Sequence, residues 1–419
     1  MAATAQRVIH LSLVIGGNVV DGSGLQVGRV DDLIVRLGAE YPPVTGVLAS
    51  VAGRRVFVAA EAVGEIEAGR VTLRESRLDL QPFERRPQEV LLKEDVLDHQ
   101  LINIDGARLV RTNDIEIARV EGWYRVVGVD TSARGFLRRL VPRRVAPSIA
   151  TRSVLDWASV EPFTGHVPTV RLRVPHPKLA RLHPAEVADL VEAASHREGE
   201  EILAAVRSDA EREADVYEEL DPLHQIEFIG DMSDADAAGL LARMESDDAA
   251  DVINDLEEER REAIVALLPP VQQRRVRALL GYDATTAGGL MSPDFVCLYS
   301  QATRQEALDR LSRASGPAEA LASIFVMNQH QRLKGAIQVV DLLRADPTKT
   351  AGELAAPIRQ VRADADLEEV ARLMADFDLT VIPVVDDEQR ILGVVTVDDV
   401  LEVVLPRGWR RSFRVFGDE

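Results

Sequence analysis

Between Asp366 and Val404 the local signals of the sequence agree on one order of elements. Val370, Leu373, Met374 and Phe377 recur at helical spacing, so Leu367 onward is expected to form an amphipathic helix ending near Asp378. Thr380–Val385 is an apolar, β-branched run of strand length, stopped by the acidic pair Asp386-Asp387. Ile391 to Thr396 offers a second strand, and Val397-Asp398-Asp399-Val400-Leu401-Glu402-Val403-Val404 a second helix. The order is therefore helix, buried strand, acidic turn, strand, helix.

With 419 residues the chain exceeds what one core organises, and roughly 100–200 residues per domain implies several domains. Cys297 is the single cysteine, so neither an internal disulfide nor a cysteine-based zinc site can form, and a buried small apolar role is expected for it. No run of about 18 apolar residues occurs, and the first residues lack a charged segment followed by an apolar signal core. A soluble, cytoplasmic protein is expected. Residues 1–175 carry 23 Lys/Arg against 21 Asp/Glu, residues 176–280 carry 11 against 26, and residues 281–419 carry 15 against 22. That concentration of acid argues against nucleic acid as a partner of the C-terminal two-thirds, and for a surface that holds cations.

Residues 8–80 read as short strands between glycine-bearing turns, and the theme recurs after Pro82–Gln88. Asp21-Gly22 followed by Val27–Leu33 compares with Asp105-Gly106 followed by Val110–Ile115, which suggests two related β units, 1–82 and 83–145. The pair Asp31-Asp32 is expected to end a strand in solvent rather than to hold a ligand. The basic stretch Gly135–Arg144 is read as a linker helix, with peripheral contact to a membrane or an acidic partner as the alternative. Prolines mark 146–180 as a linker. From His183 the pattern changes to short acidic helices over 181–284, with starts at Pro184, Asp221-Pro222, Ser233, Ser246 and Pro269-Pro270. Segments 285–346 and 347–405 then follow the strand-and-helix order described above. A basic, aromatic tail, 406–419, completes the chain.

The Val370–Val404 phrase resembles a CBS module, and specifically the second CBS repeat of MgtE-type magnesium channels. The helix starts from His183-Pro184-Ala185-Glu186 to Ser246–Asp251 look like the N domain of that family, and Thr286-Ala287-Gly288-Gly289-Leu290-Met291 is similar to its join between N domain and first repeat. The β half resembles, more loosely, the PRC-barrel. Together these resemblances imply a multidomain α+β chain: small PRC-like barrels, an α-superhelical MgtE N-like domain, and an α/β CBS pair. They imply a homodimer through the CBS domains and a protein partner for the barrel half. The family's five-helix membrane pore is expected to be missing.

Asp247 and Asp251 stand four residues apart on one helical face with no neighbouring cation, which suits a hard divalent ion such as Mg2+. The channel family implies further metal ligands on the CBS side: Asp366, Glu368, the carbonyl of Ala375, Asp378 and Asp399. Glu402 replaces an aspartate of the family pattern. Gly393-Val394-Val395-Thr396-Val397-Asp398-Asp399 also matches the CBS adenosine pattern, in which Gly393, Thr396 and Asp399 would contact ATP or another adenine nucleotide. The first repeat departs from it at Gln338. Asp399 cannot serve metal and ribose at once, so both ligands remain open. No catalytic constellation is present, and no enzyme activity is expected. The function expected is Mg2+-sensing regulation of magnesium homeostasis, with nucleotide sensing or adaptor docking to a ribosomal or membrane partner as alternatives.

Overall fold

Alternating β-branched residues set the character of the first half. In the computed structural model, which describes residues 8–75, 81–140, 154–163, 178–314 and 316–405, the chain divides into two compact units, Met1–Leu220 and Asp221–Glu419.

In the first unit the long strand Gln26–Arg36 is central. It pairs with Asn18–Val20, Val44–Val51 and Glu89–Leu91, and the sheet continues outward to Val63–Glu67 at one edge and Gln81–Pro82 at the other. A second sheet joins Ile9–His10, Asp114–Val120, Trp123–Asp130 and Val154–Asp156, and a third joins Arg108–Arg111, Gln100–Asn103 and Val160–Pro162. Leu33, Val47 and Val71 share one core with Ile115, Ile117, Val126 and Val129.

The expected PRC-like barrels do not form. Among the described residues no sheet closes, because the two edges of the largest sheet do not pair with each other. The edge strand Val63–Glu67 is met instead by a residue of the second sheet, with Ile66 N–H donating to the Tyr124 hydroxyl at 2.9 Å. The apolar face is thus buried against another sheet rather than by curling on itself.

Asp32 is 1% exposed and accepts from the amides of Leu33, Lys93 and Glu94 at 2.7, 2.8 and 3.1 Å, so it caps a turn. Asp31 pairs with Arg55. The basic stretch becomes the helix Ala133–Leu140, whose arginines turn inward. Arg138 lies between Asp114 at 2.7 Å and Asp130 at 3.3 Å, and Arg139 clasps Asp98 at 2.6 and 2.7 Å. Arg143 and Arg144 lie outside the described residues, as does the tail with Trp409, Phe413, Val415 and Phe416. Three acidic helices, Pro184–Ala193, His196–Val206 and Ala210–Glu218, complete this unit.

The second unit opens with five short helices, Pro222–Gly230, Asp234–Leu241, Ser246–Asp255, Glu258–Leu267 and Pro270–Leu279. Their starts follow from local chemistry. Asp221 and Ser233 accept from amides three residues on, and Pro222 and Pro270 occupy first-turn positions where no N–H is needed. The two repeats follow, each a three-stranded sheet with flanking helices. In the first, Val296–Tyr299 runs parallel to Ser323–Met327, which is antiparallel to Leu333–Gln338. In the second, Val361–Arg362, Val381–Val385 and Ile391–Thr396 repeat that pattern. Phe325 and Ala336 of one repeat share a core with Val381 and Val394 of the other. In the first repeat the helix Arg304–Leu311 ends where the Ser312 hydroxyl donates to the Asp309 carbonyl at 3.0 Å and competes with the next turn.

Candidate functional site

The helix Ser246–Asp255 buries Ala249, Ala250, Val252 and Ile253, and this orientation leaves Asp247 and Asp251 on a shared flank. Asp247 is only 8% exposed, and among the described residues its Oδ1 has no hydrogen-bond partner. Its carboxyl is pushed well above the usual carboxylate range, first by burial and then by the negative charges of Asp399, Glu245 and Asp251. Asp251 keeps contact with solvent, yet the protein crowded around it, with Asp255 and Glu402, raises its pKa to about 6. The influence of Asp399 on Asp247 and of Glu402 on Asp251 places the helix Val397–Val404 opposite. Asp399 is itself raised, chiefly by burial, against the lowering effect of the Thr396 amide that it accepts from at 2.9 Å.

Four of the eight metal candidates therefore share one region: Asp247, Asp251, Asp399 and Glu402. The others divide between the two ends of the helix Leu367–Asp376. Asp366 caps its start, accepting from Glu369 N–H at 2.8 Å, and Glu368 faces Arg372 at 4.0 Å. Ala375 and Asp378 lie at the other end, about 15 Å away at the rise of a ten-residue helix. All four are exposed. One ion cannot take ligands from both ends, and among the described residues no three of these carboxylates converge within 4.8 Å.

The nucleotide candidates are already occupied by packing and capping. A Cβ on Gly393 would lie 2.8 Å from the Met291 thioether and 2.9 Å from the Ser292 carbonyl, so this glycine admits the join segment. Ser292 and Val394 exchange backbone hydrogen bonds of 2.7 and 2.9 Å. Thr396, 3% exposed, caps the following helix and accepts from Asp399 N–H at 3.4 Å.

One group of residues escaped the sequence reading. The Ser246 hydroxyl lies 3.3 Å from the Gln272 side-chain oxygen and 3.2 Å from Asp294 Oδ2, and Asp294 Oδ1 receives Arg275 at 2.7 Å. This chain ties the Asp247 helix to the segment that opens the first repeat. Its partners are 26 and 48 residues from Ser246, too distant for any local pattern to reveal.

Residues 182–285 match the MgtE intracellular N domain family, and residues 287–348 and 351–406 match the CBS domain family. Over 195 residues the chain is 40% identical to the magnesium transporter MgtE of Thermus thermophilus, and over 193 residues 30% identical to that of Bacillus subtilis. Each match covers 46% of this chain and 43% of the relative, so the chain spans under half the length of these curated relatives. Among solved structures it is similar to the cytosolic domain of the Mg2+ channel MgtE in complex with ATP, with 36% identity and a TM-score of 0.51. That likeness covers 54% of this chain and 92% of the other. The second half is thus an MgtE N and CBS module related to magnesium transporters. Its domain types belong to a transport-regulatory family and not to a catalytic one. Among the described residues, no helix is long and apolar enough to cross a membrane.

Proposed function

We propose that this module senses Mg2+, drawing the ion between the helices Ser246–Asp255 and Val397–Val404 to regulate a magnesium-handling partner inside the cell. The observation that carries the reading is Asp247: a buried carboxylate with an unpartnered oxygen, facing other acids. Such a group destabilises the protein when charged unless a cation joins it. Mg2+ takes oxygen ligands and keeps several waters, so it can bridge carboxylates that do not touch. The similarity to magnesium transporters supports this choice of ion. Asp366 and Glu368, and separately Ala375 and Asp378, would hold further ions at the two ends of their helix.

Isothermal titration with Mg2+ tests the reading. The native chain should give saturable heat, Asp247→Asn should weaken it at least tenfold, and Thr396→Val should leave it unchanged. Mg2+ binding that is the same in Asp247→Asn overturns the proposal. A second reading, adenine nucleotide held near Thr396 and Asp399, is favoured by the ATP complex of the similar MgtE domain. ATP heat lost in Thr396→Val, in a chain whose melting is unchanged, would support it.

The helix Val397–Val404 buries Val400 but leaves Leu401, Val403 and Val404 at 44, 55 and 52% exposure. We read this face as the contact of a homodimer. Sedimentation of Leu401→Asp as a monomer beside a native dimer would bear this out, and a native monomer would refute it.

A further inference from the structure

We propose that the first unit contains a binding site for a small organic anion, a carboxylate or phosphate joined to a planar apolar body. The site is a cavity of about 470 Å3 between the edge of the largest sheet and the tip of the hairpin formed by Asp114–Val120 and Trp123–Asp130. Val44, Val63 and Ile66 give it an apolar floor, with Tyr124 beside them. Cavities of this size and lining, with a few polar groups at defined points, are the usual form of small-molecule sites.

Two arginines supply those points. Arg74 donates through Nε to the Val63 carbonyl at 3.1 Å, and Arg119 through Nε to the Gly122 carbonyl at 3.3 Å. The main chain thereby orients both guanidinium groups, with Arg119 also over the Tyr124 ring at 5.9 Å from its centroid, and among the described residues their terminal nitrogens have no hydrogen-bond partner. Among the described residues neither arginine forms an ion pair, whereas Arg55, Arg85, Arg138 and Arg139 of the same unit all do. A planar fork held in this way matches a carboxylate or phosphate. Among the described residues Glu61 is the one acid in the lining, against two arginines. Trp123, 46% exposed, lies in the same lining and offers a flat apolar surface to a planar group.

The walls are held in place without a ligand. The Tyr124 hydroxyl accepts from Ile66 N–H at 2.9 Å and donates to the Ile66 carbonyl at 3.4 Å, which fastens the hairpin tip to the sheet edge. The tip itself turns through Glu121 and Gly122, with φ of 51° and 88°. A preformed cavity with oriented donors lowers the ordering needed on binding.

The test is equilibrium dialysis of the full chain with 2-naphthoate, 2-naphthyl phosphate and the uncharged 2-naphthylmethanol. At least one anion should bind saturably at one equivalent, and the alcohol at least tenfold more weakly. Which anion binds more tightly distinguishes a carboxylate ligand from a phosphate one. Arg119→Gln and Arg74→Gln, exposed positions whose melting curves should match the native one, should each weaken binding about tenfold, and Trp123→Ala should weaken it as well. Failure of both anions to saturate at millimolar concentration, equal binding of the alcohol, or undiminished binding in both arginine variants would each overturn the proposal.

Discussion

Asp114 and Asp130 are buried as deeply as Asp247, at 0, 0 and 8% exposure, yet their surroundings differ in kind. Asp114 accepts from Ser12 N–H at 3.0 Å, Ile115 N–H at 2.9 Å and Arg138 at 2.7 Å. Asp130 accepts from the Ser132 amide and hydroxyl at 2.9 and 2.6 Å and from Arg138 at 3.3 Å. Here the chain provides its own cation, and the cluster serves structure. The charges that act on Asp247 are those of Asp399, Glu245 and Asp251, and among the described residues one of its oxygens has no partner. Burial of a carboxylate is therefore no sign of a binding site by itself; what sets Asp247 apart is burial among other carboxylates.

The largest effect that separates the two clusters is expected at Arg138. Arg138→Met leaves two buried carboxylates uncompensated and should destabilise the chain by about 3–5 kcal/mol in urea unfolding. A loss below about 1 kcal/mol would mean that water already reaches the cluster. Asp32 offers an intermediate case, a buried carboxylate with a pKa raised to about 7 by burial, against the lowering effect of three amides and of the Lys93 charge. Its folded-state pKa lies above the unfolded value, so its contribution is fully present below the unfolded pKa and is lost as pH rises through about 7. Relative to Asp32→Asn, the native chain should lose on the order of 2–4 kcal/mol between pH 4 and 8. Parallel pH profiles for the two proteins would show that the three amides hold the carboxylate charged throughout.

At Asp247 the sign should reverse with the metal. Without Mg2+, Asp247→Asn should stabilise the protein by about 1–2 kcal/mol, because it removes a buried charge among acids. With millimolar Mg2+ the native chain should melt higher, and the variant should gain less. If the variant is destabilised in both conditions, Asp247 has a protein partner after all and the contrast with Asp114 fails. The smallest effect is expected at Glu368, which is exposed beside Arg372. Glu368→Gln should change stability by less than about 0.5 kcal/mol.

The CBS repeats were legible in the sequence because every signal there is local. Spacing along Val370–Phe377, the β-branched run to Val385 and the acidic turn each decide their own element. Asp366, Thr303 and Thr396 likewise cap their helices by accepting from amides only three residues further along the chain. The β half misled for the opposite reason. Whether a strand closes a barrel or meets a second sheet depends on contacts such as Ile66 with Tyr124, 58 residues apart, and alternation looks the same in both cases. Asp247 and Asp251 were found as a pair by their spacing, but Asp399 and Glu402 came only from family resemblance, since nothing local links them to a helix some 150 residues earlier.

The join that follows the helix Pro270–Leu279 binds its neighbours out of chain order. Ala287 and Gly288 donate to Ala365 and Ala363 at 2.8 and 2.9 Å, and Ser292 is laddered to Val394, so this segment is stitched to the second repeat before the chain enters the first. Order along the chain and order of mechanical linkage therefore differ. A pull applied at Leu279 would load the second repeat first, and a protease nick in the Asp346–Lys349 turn would leave two fragments still clasped together by these backbone bonds, by those that Ala336 and Ala356 exchange, and by the core that Phe325 shares with Val381 and Val394.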